Sequence, residues 1–272
     1  MFSLIISIFT SAVAVVMCVQ SQTNIGWTLV TAIAVFVATM VAISLGLRKK
    51  IQVVNEDLQG IMLGGQKRIS QKVQAFQNKP GGDPRHMQRV IEKEQAECVE
   101  KALEFTANLE PFCKWNMLMP KQIATMRLQF NYQLKRYDAV DELMPKVLMM
   151  DPMTVAMCMA RHYKNDDMAA MEKLFEKKIK RFKGAKGTLL YGLMSWAYVK
   201  KGEVNKAREV LFQGKEATGN ETLRFNWEQL SNDRAKKFSN AGLGDEWYGL
   251  YLEAPKPPKQ QRVRANATGR PF

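Results

Sequence analysis

The first 47 residues of this chain contain no aspartate, glutamate, lysine, arginine or histidine. Two apolar runs, residues 1–19 and 25–47, fill this stretch and are separated only by a short polar segment. Each run is close to the roughly 20 residues that a helix needs to cross the hydrocarbon core of a bilayer. Because backbone groups cannot bond to water there, the two runs predict a transmembrane helical hairpin over residues 1–47.

The first run also lacks the basic residues that precede the apolar stretch of a secretory signal peptide, so we favour an uncleaved anchor. Arg48, Lys49 and Lys50 follow the second run directly. By the positive-inside rule they predict that both termini lie in the cytoplasm. No ionisable residue lies within the runs, which argues against a transport path or a proton relay. These features predict a multi-pass protein of the bacterial inner membrane.

Histidine and cysteine are scarce, with two and four residues in the whole chain. Neither His86 nor His162 has a second histidine or a cysteine at the spacing of zinc ligands, so we expect no metal site. The cysteines form no C-x-x-C pair, which fits a reducing compartment. Glycine-rich nucleotide-binding loops and the G-x-S-x-G nucleophile motif are absent too. We therefore expect no cofactor and no enzymatic activity; the alternative is an enzyme whose site lies outside these familiar motifs.

The entire formal net charge of +14 lies after the apolar runs. From Ile51 to Ile61, apolar residues recur at helical spacing and predict an amphipathic stalk and linker over residues 48–82. Such a stalk can lie on the membrane surface, pair with a copy of itself or fold onto the following domain, and the sequence leaves these alternatives open. The glycine pair Gly64-Gly65 is interpreted as a break between helices.

Residues 83–240 continue with apolar residues at helical spacing and predict an all-α domain. Asp83 followed by Pro84 is typical of a helix start. The most regular stretch follows Thr188 and reads L-L-Y-G-L-M-S-W-A-Y-V-K-K-G-E-V-N-K-A-R-E-V-L-F-Q-G. This stretch resembles a tetratricopeptide (TPR) repeat, in which small residues at the places of Ser195 and Ala207 lie where two helices cross.

Two weaker copies of the pattern precede this stretch, and Asn220 is expected to cap a terminal helix after it. The corresponding second-helix positions are Val140, Ala170 and Ala207, which are 30 and 37 residues apart. The usual TPR period is about 34 residues. The resemblance implies an α-solenoid of helix pairs that binds protein or peptide partners. In layout the chain is similar to two-span, TPR-tailed membrane proteins of the HemY type.

The TPR resemblance also implies a concave groove along the first helices of the repeats. This groove is the expected partner-binding site, and the residues expected to line it are Tyr132, Met159, His162, Trp196 and Lys200. For Trp196 the alternative is packing against the next repeat, and for His162 we favour a groove wall over a catalytic role. The predicted function is a membrane-anchored cytoplasmic scaffold that holds protein partners at the inner membrane.

A dense group of basic residues marks the second helix of the middle repeat. It can be a patch for anionic lipid or nucleic acid, or simply a solvated helix face, which we favour. Nucleic acid is the less favoured ligand, because no aromatic residues are interleaved with the basic ones. The alternative function is therefore a membrane tether for nucleic acid, ribosomes or anionic lipid through this helix and the basic tail. The patch comprises Lys173, Lys177, Lys178, Lys180, Arg181, Lys183 and Lys186.

The last part of the chain, residues 241–272, combines an aromatic segment with a basic, proline-rich tail. We expect the tail to be disordered because its composition cannot form a core. The aromatic segment, residues 242–252, is too apolar to remain in water. It is predicted to dock on the repeat domain, either in the groove or against the last helices, with Trp247 as its anchor.

Overall fold

The computed structural model describes residues 2–22, 24–77 and 84–255. These residues form eleven α-helices and several short 3-10 segments, without a strand among them. The predicted all-α class is confirmed at this level. By its internal contacts the chain divides into two compact units, Met1–Met150 and Asp151–Phe272.

The first unit begins with α1 (Phe2–Gln20) and α2 (Ile25–Gln77). Both helices contain a stretch long and apolar enough to cross a membrane, judged by length and composition. Small polar side chains join them: the Thr10 and Thr39 hydroxyl oxygens are 3.2 Å apart, and Ser11 Oγ donates to the carbonyl oxygen of Ala32 at 3.0 Å. Such contacts suit helices in lipid, where small residues allow close approach.

Helix α2 continues for 53 residues without interruption, from the apolar run through the whole stalk. The interpretation of Gly64-Gly65 as a helix break is wrong. The next helix, α3 (Pro84–Phe105), runs antiparallel to the stalk, and Gly65 lies where the two helices meet. A Cβ atom on Gly65 would be only 2.2 Å from the Cys98 sulfur, so glycine is required here for the close approach of the two backbones.

The stalk packs against the helices that follow it in the first unit, which agrees with the third of the three alternatives that the sequence leaves open. After α3 comes a 3-10 segment (Thr106–Lys114), then α4 (Met119–Gln133) and α5 (Tyr137–Leu143). One buried cluster contains Leu58 of α2 together with Val99, Ala102 and Phe130. A second cluster contains Leu109, Met119 and Ile123, with Ile51 and Val54 of α2 packed against it.

A carboxylate on α3 adds a polar tie between the same two helices. Glu94 is only 9% exposed and accepts a hydrogen bond from Arg68 Nε at 2.7 Å. It also forms an ion pair with Lys72. The hydrogen bond from Lys72 and then that from Arg68 hold the pKa of the Glu94 carboxyl below its usual value.

The second unit contains six α-helices in the described residues. Their bounds are α6 (Pro152–Lys164), α7 (Met168–Ile179), α8 (Thr188–Lys201), α9 (Val204–Thr218), α10 (Glu221–Ser231) and α11 (Asp245–Tyr248). Helix α6 pairs with α7, α8 pairs with α9, and α6 also lies against α8. The αL conformation of Gly202, with φ of +80°, ends α8. As expected, Asn220 caps α10, its side chain accepting from the backbone N–H groups of Thr222 and Leu223.

The helix pairs have the small buried residues that the sequence pattern indicates. Ser195 and Ala207 are both fully buried, and Gly214 meets the ring of Tyr191 so closely that a Cβ atom would lie 2.9 Å from it. The assignment of these pairs as TPR repeats stays a prediction. One domain over residues 83–240 stays a prediction too; the division of the chain by its internal contacts falls at Met150, inside that range. The glycine-rich linker and the tail after Pro255 lie outside the described residues.

Candidate functional site

The candidate site lies on the face of α6 and α8 in the second unit, where the C-terminal segment, residues 239–253, is docked. Two buried asparagines fix the start of this segment. Asn240 Nδ2 donates to the carbonyl oxygen of Gly192 on α8 at 2.8 Å, and Asn240 Oδ1 accepts from Asn226 Nδ2 at 3.0 Å. Asn226 Oδ1 in turn accepts from the backbone N–H of Ser239 at 3.0 Å. Both asparagines are fully buried, so these bonds satisfy amides that would otherwise be costly to bury.

Gly192 allows the segment to approach α8 closely. A Cβ atom at this position would be 2.6 Å from Leu243 Cδ1, a distance that real side chains do not tolerate. Gly244, with φ of +67°, then turns the chain into the short helix α11. The turn directs the next aromatic residue, Trp247, into the protein.

Trp247 is the centre of the docked segment and is fully buried. Its ring packs edge-on against Trp196 of α8, with centroids 5.6 Å apart. The Trp196 ring also packs against Tyr163 of α6, with centroids 4.9 Å apart. Such edge-to-face pairs contribute roughly 0.5–1.5 kcal/mol beyond the area that they bury. The three rings therefore form a continuous aromatic contact between two helices and the segment.

A carboxylate completes the contact. Glu253 Oε1 accepts a hydrogen bond from Trp196 Nε1 at 2.8 Å, and Glu253 Oε2 accepts one from Trp247 Nε1 at 3.2 Å. Lys200 Nζ lies 3.4 Å from Glu253 Oε1 and 5.3 Å from the centroid of the Trp196 ring. One carboxylate thus satisfies both indole N–H groups and offsets the charge of the lysine.

The predicted groove residues differ in how far they are exposed to solvent. Trp196 is 4% exposed because Trp247 and Tyr163 cover it, while Lys200 stays half-exposed beside it. His162 is partly buried, with Nδ1 3.9 Å from an oxygen of Asp167, an ion pair when the imidazole is protonated.

Met159 and Tyr132 are even more fully buried than Trp196. Met159 is fully buried in the second unit. Tyr132 belongs to the first unit, is 2% exposed and packs edge-on against Tyr137 at 5.8 Å. The role of all five residues in partner binding stays a prediction.

The basic patch lies on and after α7. All of its residues are exposed except Lys178, which is half-buried. Burial, followed by repulsion from Lys177 and Arg181, lowers the pKa of Lys178 below its ordinary value. Within the described ranges, none of the seven patch residues forms an ion pair with a carboxylate at 4.0 Å or less. The patch therefore presents cations whose charge no protein carboxylate offsets at contact distance.

Sequence reasoning missed Glu253, Asn240 and Tyr163. The only available signal for Glu253 is that it is the last acidic residue before the basic tail. Among the residues that the structure describes, no group of three or more histidine, cysteine, aspartate or glutamate side chains is arranged to hold a metal ion. Comparisons of the chain with protein-family models, with curated proteins and with solved structures found no match.

Proposed function

We propose that this chain is a membrane-anchored scaffold whose TPR-like helices bind a peptide segment of a partner protein on the face of α6 and α8. The observation that carries the proposal is the docked C-terminal segment itself. An aromatic side chain, Trp247, is buried against Trp196, and a carboxylate six residues later, Glu253, meets Lys200. This face therefore suits peptides with the same two features.

Several features support the anchor. The two apolar helices are long enough to span a bilayer, and small polar groups join them. Arg48, Lys49 and Lys50 favour the cytoplasmic side, which gives both termini a cytoplasmic location in a bacterial inner membrane. The helix pairs α6–α7 and α8–α9, followed by the capped helix α10, support a TPR-like stack, whose last repeat needs a cap.

The docked segment competes with such a partner. Because the segment is part of the same chain, it binds this face as if it were present at a millimolar concentration, the value typical of short linkers. An aromatic anchor in a desolvated pocket is worth about 2 kcal/mol or more. A partner must therefore displace the segment. The apparent affinity of the partner equals its intrinsic affinity multiplied by the fraction of chains in which the face is free.

A synthetic peptide of residues 244–255 tests this function with the full chain in detergent micelles. The variant Trp247→Ala, whose own segment is weakened, is expected to bind the fluorescently labelled peptide more tightly than the unmodified chain. Adding Lys200→Glu is expected to remove this binding, because it places a like charge opposite the peptide carboxylate. The control peptide carries alanine in place of its tryptophan. Equal binding of both peptides, or no binding to Trp247→Ala, contradicts the proposal.

The basic patch favours a second candidate function, in which the chain tethers anionic surfaces to the membrane. Its support is the set of exposed cations without paired carboxylates described above. Full-length protein in phosphatidylcholine nanodiscs is expected to capture anionic vesicles at low salt and release them at high salt, since exposed charges are screened within about 10 Å at 0.1 M. The double variant Lys177→Glu, Arg181→Glu is expected to lose capture, while Lys101→Glu on α3 serves as the charge control. Salt-independent capture, or capture of neutral vesicles, contradicts this function; capture of RNA instead would identify nucleic acid as the ligand.

A further inference from the structure

A short loop of the first unit, residues 115–118, lies beside the ends of the two apolar helices. Ser3 Oγ of α1 donates a hydrogen bond to the backbone oxygen of Trp115 at 2.9 Å. The rings of Phe2 and Trp115 pack edge-on with centroids 5.6 Å apart. These contacts hold the loop at the level where α1 begins and where the apolar run of α2 ends.

A cavity of about 340 Å³ opens between this loop and the two helices. Leu4, Met40 and Leu47 give its lining an apolar part, and Arg48 and Trp115 line it as well. Arg48 forms no ion pair within the described part of the chain. The cavity therefore joins a surface suited to an acyl chain with a guanidinium whose charge is not offset.

The loop also exposes apolar side chains next to the cavity. Met117 is 63% exposed and Leu118 is 51% exposed, although the helix that follows is well packed. Trp115 is of the residue type that is enriched at the membrane–water interface. An apolar loop at the level of Arg48, the first charged residue after the apolar run, faces the headgroup region if α1 and α2 span a bilayer.

We propose that an anionic phospholipid of the leaflet on the Arg48 side binds in this cavity. Its phosphate accepts hydrogen bonds from the planar guanidinium of Arg48, a geometry that suits phosphate oxygens. One acyl chain lies along Leu4, Met40 and Leu47, and Met117 and Leu118 enter the same leaflet. This site is separate from the basic patch on α7, and it rests on the proposed anchor but not on peptide binding.

Native mass spectrometry of the full chain tests the lipid preference, with phosphatidylglycerol and phosphatidylcholine as probes. The unmodified chain is expected to retain phosphatidylglycerol at least tenfold more than phosphatidylcholine. Arg48→Gln is expected to abolish the preference, and Arg48→Lys to restore part of it. Lys101→Gln removes the same charge from the exposed face of α3 and is expected to change nothing. Equal retention of the two lipids, or an unchanged preference in Arg48→Gln, overturns the site.

A second measurement follows the loop and does not depend on any Arg48 variant. An environment-sensitive dye is attached at Leu118→Cys, with the native cysteines replaced by serine, and the chain is placed in nanodiscs. Brominated lipids are expected to quench this dye, but not a dye at Lys101→Cys. Incorporation without quenching at position 118 overturns loop insertion. Failure of the chain to enter nanodiscs overturns the anchor itself and this site with it, whereas incorporation without lipid preference overturns the site alone.

Discussion

Replacing Trp247 by alanine tests the docked segment most directly. The side chain is fully buried, packs edge-on against Trp196 and donates a hydrogen bond to Glu253. Burying roughly 200 Å² of aromatic surface at about 25 cal/mol per Å² gives an upper value near 5 kcal/mol. Truncations of buried tryptophan cost about 3–5 kcal/mol. The lower end applies here, because a released segment regains conformational entropy.

A loss of about 3 kcal/mol lowers the melting temperature by roughly 6–12 °C, at roughly 2–4 °C for each kcal/mol. Circular dichroism of the full chain in detergent micelles measures this change. Hydrogen exchange of residues 241–253 measures local release of the segment, and about 3 kcal/mol corresponds to an exchange rate roughly a hundredfold faster. The second measurement is needed because the segment can leave while the helices stay folded.

The matched control is Trp227→Ala on α10. Trp227 is half-buried and makes a tilted contact with Phe212 at 6.0 Å, so the same truncation removes less buried surface. We expect this control to leave hydrogen exchange in residues 241–253 unchanged. If Trp247→Ala leaves exchange in the segment as slow as in the unmodified chain, docking through the tryptophan is refuted.

Three further predictions concern the first unit and the anchor. Gly65→Ala is expected to destabilise the chain by about 1–3 kcal/mol through overpacking, measured by chemical unfolding, whereas Gly60→Ala in open space is expected to stabilise it by about 0.5–1 kcal/mol. Folding lowers the pKa of the Glu94 carboxyl below its ordinary value of 4.5, so the ionised carboxylate stabilises the fold above pH 4.5 and this stabilisation is lost as the pH falls from there through the lower folded-state pKa. Glu94→Gln should therefore make the free energy of unfolding less dependent on pH in this range. In a cysteine-free background, an impermeant thiol reagent should label Ser21→Cys in intact cells and Lys121→Cys only after permeabilisation; the reverse would contradict the topology.

The sequence predicts the apolar helices well because their signal is continuous and local. The run of residues 25–47 begins at Ile25, as α2 does, and α1 ends one residue after the first run. Capping signals are local too, so Pro84 and Asn220 mark helix starts correctly. Each of these signals depends on neighbouring residues and requires no knowledge of tertiary contacts.

Gly64-Gly65 shows where such local reasoning fails. Glycine is found both where a helix ends and where two backbones approach closely, and the sequence pattern does not distinguish these uses. The residue that decides between them, Cys98, lies 33 positions further along the chain. Pairing with α3 keeps the helix intact across the glycines, and its packing outweighs their low helix propensity.

The candidate site is only partly predictable for a similar reason. An apolar segment such as residues 242–252 must bury its side chains away from water, so docking of Trp247 follows from the composition of the segment. The role of Glu253 does not follow from the sequence, because a single carboxylate looks the same there whether it is solvated or accepts hydrogen bonds from two indole N–H groups. Met159 shows the same ambiguity for an apolar side chain, because an apolar residue on a helix gives the same periodicity in a groove and in a core.

The lengths of the helices explain why the loop at Trp115 returns to the level of the membrane boundary. Beyond Leu47, α2 continues to Gln77 and rises about 45 Å at 1.5 Å per residue. The 22 residues of α3 return antiparallel over about 33 Å, and the nine-residue 3-10 segment adds about 18 Å. The outward and returning paths thus nearly match, which places residue 115 beside Arg48 and Ser3, where the hydrogen bond to Ser3 is observed. Leu58 and Gly65 hold α2 against the returning helix, so the part of α2 beyond Leu47 is packed against α3 and does not stand alone as a separate stalk.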